Sequence, residues 1–127
     1  MIDKEKHNII EYKIAGDWEV LAGKTDDDND YLSLRLTHPN DYWFHVKGMP
    51  GSHVILRAKE NEEPGKDILK EAAAIAAWHS KAKNGGITPV SCTMAKYVSK
   101  PKGAKPGTVT IKKEMVIKVR PGIPALQ

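Results

Sequence analysis

Two histidines stand close together in "DYWFHVKGMPGSHVILR", the run from Asp41 to Arg57. A pair of imidazoles supports three chemistries: metal ligation, general acid–base catalysis, and contact with a polyanion. A metal site needs further donors, and Asp41 is the only local one, with His79 and Cys92 farther along the chain. No H-x-E or C-x-x-C spacing supports them, and Lys47 places a cation between the two histidines, so no metal and no cofactor is expected. Ser52 precedes His53 directly, but neighbours on a strand point to opposite faces, so His53 is a poor base for it. Cys92 lies between Ser91 and Thr93 with no acid–base partner in sequence, which fits a small buried side chain.

A second constellation is the loop "SKPKGAKPG". Lys100, Lys102 and Lys105 are spaced by glycine, alanine and proline. Glycine lets backbone approach a phosphate, and each lysine supplies a point charge. Tyr97 beside this loop and Trp43 beside His45 are side chains on which bases could stack, although tryptophan in a strand is more often a core residue. The acidic run "TDDDND" lacks the spacing and closing Glu of a calcium loop, and reads as helix-cap and turn residues.

The charge distribution favours the polyanion. The net charge is +4, but residues 1–80 carry ten Lys/Arg against fifteen Asp/Glu, a net of −5, and residues 81–127 carry ten against Glu114 alone, a net of +9. A segment with a single acid raises the local concentration of nucleic acid. Nothing resembles a signal peptide or an apolar run of roughly 20 residues, and one cysteine cannot form an internal disulfide. These features predict a soluble, cytoplasmic protein that engages no membrane.

The elements that must position these residues are legible in the patterning. "IIEYKI" alternates with strand period, "AGD" turns, and "WEVLAGK" returns, giving a hairpin over residues 9–24. "YLSLRLT" alternates leucine like a strand, yet follows Asp28, Asn29 and Asp30, which suit a helix N-cap; a short helix is the reading adopted. "YWFHVK" and "HVILR" form a second hairpin around "GMPGS". If Lys47 pairs with Ser52, the two histidines face opposite ways; if it pairs with His53, they share a face. "DILKEAAAIAAWHSKAKNGG" predicts one long Ala-rich helix, with Lys81 and Lys83 in its last turn and Gly85–Gly86 as a left-handed cap. "TPVSCTM" is a strand, "AKYVSKPKGAKPG" a loop, and residues 109–119 make two strands bent near "KKE". The expected architecture is a single α+β domain: a mainly antiparallel sheet of about six strands, the Ala-rich helix packed on it, and a short second helix. Its limits are a tail over residues 1–8, a domain over 9–120, and a frayed tail over 121–127.

In that order, "VLAGK" with "ND" after it, "DYWFHVKGMPGSHVIL", "EAAAIAAWHSKAK" and "KPKGAKPGTV" resemble the NFACT-R domain. This is the C-terminal module of the NFACT proteins of ribosome-associated quality control. The resemblance spans residues 10 to 120 and implies an RNA-binding module, with tRNA, ribosomal RNA or the large ribosomal subunit as partner. The positions it matches are Gly23, Lys24, Asn29, Asp30, Asp41, Trp43, His45, Pro50, Gly51, Ser52, His53, Lys100, Lys102, Gly103, Lys105, Pro106 and Gly107. The chain as read is a stand-alone form without the family's N-terminal domain or coiled-coil arms, so nascent-chain tailing by itself is not expected.

From residues and resemblance together, the candidate RNA contacts are Lys24, Asp41, Trp43, His45, Lys47, Ser52, His53, Arg57, Tyr97, Lys100, Lys102 and Lys105. The leading expectation is a non-catalytic RNA-binding domain. Two alternatives stay open: an RNA-modifying or RNA-processing enzyme using His45 and His53, and a protein-interaction module docking on a ribosome-associated partner.

Overall fold

The computed structural model describes residues 6–124. Its centre is a six-stranded sheet, antiparallel at every step. β1 (Ile9–Ile14) and β2 (Trp18–Gly23) form the expected first hairpin. They are joined by a turn in which Gly16 and Asp17 both take positive φ.

α1 (Asp26–Tyr31) follows. Its N-cap is Thr25, about one turn earlier than the capping expected from Asp28 to Asp30. Thr25 Oγ1 accepts from Asp28 N, and the Asp28 carboxylate accepts from Thr25 N, a reciprocal box. The acidic run is thus the first turn of the helix, where negative charge suits the dipole. Residues Leu32–Leu36 continue as a wider π turn, so the helical reading of this ambiguous run holds. Leu32 and Leu36 are buried and Leu34 is exposed, which is helical spacing; a strand would have placed all three on one face.

β3 (Tyr42–Val46) and β4 (Val54–Leu56) form the second hairpin, and α2 (Lys66–Trp78) packs across the sheet. α2 is 13 residues, shorter than the expected helix. It stops because its last carbonyls are claimed by the β3–β4 loop and by Ser80. Ser52 N donates to His79 O and Ser80 Oγ to Ala77 O. Lys81 and Lys83 therefore lie beyond the helix, and neither Gly85 nor Gly86 adopts the left-handed cap. Gly51 makes the junction possible: a Cβ there would come within 2.7 Å of Ser80 Cβ and 2.9 Å of Val46 Cγ1.

β5 (Thr88–Met94) leads to β6 (Val98–Ser99), β7 (Thr110–Ile111) and β8 (Met115–Val119). The main sheet runs in the order β1-β2-β4-β3-β5-β8. β6 and β7 make a separate two-stranded ribbon, so part of the expected loop is strand. The expected bend falls at Lys113, with φ of 57°, and sends β8 back to the main sheet. The stretch expected to fray is docked as far as it is described: Gly122 N donates to Ala74 O, and Ile123 packs on the core.

The centre of the sheet, β2, β4 and β3, is buried on both faces, which explains the near-continuous apolar run of β4. On one face Val20, Phe44, Val54, Leu56, Val90 and Cys92 meet the alanines of α2. On the other, Leu21, Trp43 and Ile55 meet Leu32 and Leu36. The architecture is α+β with a six-stranded antiparallel sheet and two helices, as expected apart from the length of α2. Among the described residues no helix is long and apolar enough to cross a membrane.

Candidate nucleic-acid interface

The β3–β4 register pairs Tyr42 with Leu56, Trp43 with Ile55 and Phe44 with Val54. One step further sets His45 opposite His53. This is neither of the two registers considered from sequence, but its parity puts both histidines on the same face, the α1 face. Their rings are 5.5 Å apart and edge-on at 89°.

A relay of hydrogen bonds then explains His53. Trp43 Nε1 donates to Ser33 Oγ at 3.0 Å, because an indole N–H can only donate. The same Ser33 hydroxyl hydrogen-bonds His53 Nδ1 at 2.7 Å. The Gly107 and Asn29 backbones also hydrogen-bond the ring and favour its protonated form. Asn29 Oδ1 accepts from His53 N at 3.0 Å. Burial, with His45 beside it, pushes the His53 pKa down to about 4. His45 is also lowered by burial, against hydrogen bonds to the Val46 and Gly51 backbones. His53 is 3% exposed, bonded through its ring to Ser33 and to the Gly107 backbone, so it is a docking post between the sheet, the π turn and the lysine loop.

The loop is held rather than loose. Lys100 Nζ donates to Asp30 Oδ2 at 2.9 Å and to Lys105 O at 2.7 Å, and Gly107 N donates to Asp30 Oδ1 at 2.9 Å. Gly107 has φ of +85° and sits against Asp26, where a Cβ would come within 2.9 Å of Oδ1. Lys100 is thus an inward tether, whereas Lys102 and Lys105 are exposed, with Lys112 and Lys113 exposed just beyond β7. Tyr97 is half-buried under the Lys96 ammonium, and its carbonyl accepts from Lys112 N.

The remaining candidates lie elsewhere. Asp41 is 1% exposed, and its carboxylate accepts from His38 N, Ala58 N and Arg57 Nη1. Arg57 Nη1 also donates to Leu36 O, so this pair is a brace at the far end of β3. Lys47 pairs with Glu114 at 3.1 Å on the open part of the α1 face. The Glu114 carboxyl is held low first by its bond from Ser91 and then by Lys47. Lys24 and Ser52 line a separate shallow groove of about 530 Å³ with Trp78 and His79, at the C-terminal end of α2. His79 there bonds Tyr12 Oη at 2.6 Å, and its pKa is lowered by burial and by Lys83 and Lys24. Among the described residues no group of three or more His, Cys, Asp or Glu could hold a metal ion.

Sequence reasoning missed Ser33 as the centre of the relay and did not see Asp30 as the anchor of the loop. The spacing from Asn29 to Ser33 was a usable signal, since residues four apart on a helix share a face.

Residues 9–113 match a family described as the NFACT protein RNA binding domain. The chain belongs to the NFACT-R family. This NFACT-R domain is 40% identical over 120 residues to the Rqc2 homolog RqcH of Bacillus subtilis, covering 93% of this chain and 20% of that protein. It is 36% identical over 102 residues to the Rqc2 homolog RqcH of Streptococcus suis, covering 80% of this chain and 18% of that one. The NFACT-R domain thus spans about one-fifth of the length of these curated relatives. Among solved structures it superposes on the C-terminal part of the fibronectin/fibrinogen-binding protein from Streptococcus suis. The TM-score is 0.82 at 34% identity, over 88% of this chain and 45% of that one.

Proposed function

We propose that this NFACT-R domain binds RNA without chemistry of its own, with tRNA or ribosomal RNA as the ligand. It acts in the cytoplasm, in ribosome-associated quality control, with the large ribosomal subunit as its setting. The observation that carries this reading is the tethered loop: Asp30, Lys100 and Gly107 hold it so that Lys102 and Lys105 project to solvent. A loop ordered before binding loses less entropy when it meets a phosphate backbone, so its charges convert more fully into affinity. The family description and the RqcH relatives support the same ligand class and cellular process. The geometry of His53 favours binding over catalysis, because a general acid or base must reach a substrate, and this ring is buried and bonded to Ser33 inside the domain.

Titration of the domain with tRNA across a salt series tests the proposal. The expected result is saturable binding at low salt that weakens linearly on a log–log plot. Absence of binding at low salt, or affinity indifferent to salt, would reject it.

A further inference from the structure

β8 is the outer strand of the main sheet, and its exposed edge is apolar. Met115 and Val116 are 47% and 45% exposed. Between β8 and α2 runs a groove of about 330 Å³ lined by Leu69, Met115 and Ile117, with Lys66, Lys70 and Lys118 along it.

Among the described residues no strand pairs with the outer side of β8. Lys47 N donates to Pro89 O, so the odd residues of β5 bond towards β3. In an antiparallel ladder the even residues then bond towards β8, to Met115, Ile117 and Val119. Val116 and Lys118 are left with N–H and C=O directed outward.

We propose that the outer edge of β8, together with the groove between β8 and α2, binds an extended peptide of alternating apolar and acidic residues by adding it to the sheet. Four observations select this occupant. The outward N–H and C=O groups repeat at the spacing of a peptide strand. The floor of the groove is aliphatic and thioether and has no aromatic ring on which a base would stack. Met115 and Ile117 point to the α2 side, and Val116 and Lys118 to the other, so apolar residues of the added strand enter the groove while acidic ones meet Lys118. Finally, the basic rim repels a second copy of the same edge. Lysine on an exposed edge deters strands in general, and the same charge selects an acidic one. The proposal is independent of the RNA reading, because Lys102 and Lys105 line neither the groove nor this edge.

The test uses the full chain, labelled with ¹⁵N, and a short synthetic peptide alternating valine and glutamate. Saturable shifts in the amides of Met115–Val119 and Lys66–Lys70, with slowed hydrogen exchange at Val116 and Lys118, support the proposal. Val116→Pro removes an outward N–H that the sheet does not use, so it should keep the melting temperature and weaken the peptide roughly tenfold, the equivalent of one or two hydrogen bonds. The triple variant Lys66→Glu, Lys70→Glu, Lys118→Glu should turn the preference towards a valine–lysine peptide, and it decides the question if the proline variant fails to fold. Four results would overturn the proposal: no saturable shift, shifts confined to other strands, displacement of the peptide by tRNA from the same amides, or self-association through β8 in the absence of peptide.

Discussion

Ser33 serves two buried rings with one hydroxyl. It accepts from Trp43 Nε1 and hydrogen-bonds His53 Nδ1, and it is itself 3% exposed. Ser33→Ala removes the partner of a buried indole N–H and the side-chain bond to His53 Nδ1. We expect a loss of about 2–4 kcal/mol in chemical denaturation, well above the cost of removing a surface hydroxyl. His53 adds a pH signature. Its folded pKa is about 4 and its ordinary value is 6.5, so between these pH values the unfolded chain binds more protons. Stability is therefore full above the ordinary value and is lost as pH falls through that window, by up to about 3 kcal/mol for this residue. His45 and His79 are displaced in the same direction and add to the loss. Melting curves between neutral and mildly acid pH should show it, and His53→Gln should flatten the profile as it lowers the starting stability. Cys92, whose thiol burial pushes up to about 12, stays protonated and inert throughout.

At the scale of elements, the lysine loop works through its docking on α1. Asp30 joins the two by accepting from Lys100 and from Gly107 N. Asp30→Ala separates charge from order. It raises the net positive charge by one, so a reading based on charge alone predicts tighter RNA binding. The docked-loop reading predicts the reverse: weaker binding, faster exchange of the Gly107 amide, and a stability loss of about 1–2 kcal/mol. Measuring tRNA affinity and hydrogen exchange on the same variant decides between them. Gly51 acts at another junction. Its missing Cβ lets the β3–β4 loop touch Ser80, and this contact ends α2 at Trp78.

For the whole molecule, the relevant quantity is where charge lies on the fold. The basic segment from residue 81 onward supplies Lys102, Lys105, Lys112 and Lys113 around the ribbon and its loop, while its single acid, Glu114, is occupied by Lys47 and Ser91. Of the acids of α1, Asp26 and Asp30 lie against the loop, and Asp30 holds it. We expect Lys102→Ala with Lys105→Ala to reduce the log–log salt slope of tRNA binding by about one unit for each phosphate no longer neutralised. The melting temperature should change little, since both side chains are exposed. Lys100→Ala should behave differently and loosen the loop.

The class of fold, the two hairpins, the strand at "TPVSCTM", the bend before β8 and the family were all legible in the amino-acid sequence, because each rests on local patterning or on ordered motifs. Periodicity is a property of neighbouring residues, and it survives folding. Pairing was settled in three dimensions. The β3–β4 register answered whether His45 and His53 share a face, since a slip of one residue would have reversed it. Where α2 stops was set by Ser52 and Ser80, across the β3–β4 loop, and its propensity alone would have carried it further. The candidate RNA-binding residues were sorted the same way. Lys100 and Lys102 are equivalent in sequence, but Asp30, seventy residues before Lys100, turns one inward and leaves the other to solvent. A side chain's role depends on which partners reach it, and partners this distant in the chain leave no trace in local pattern.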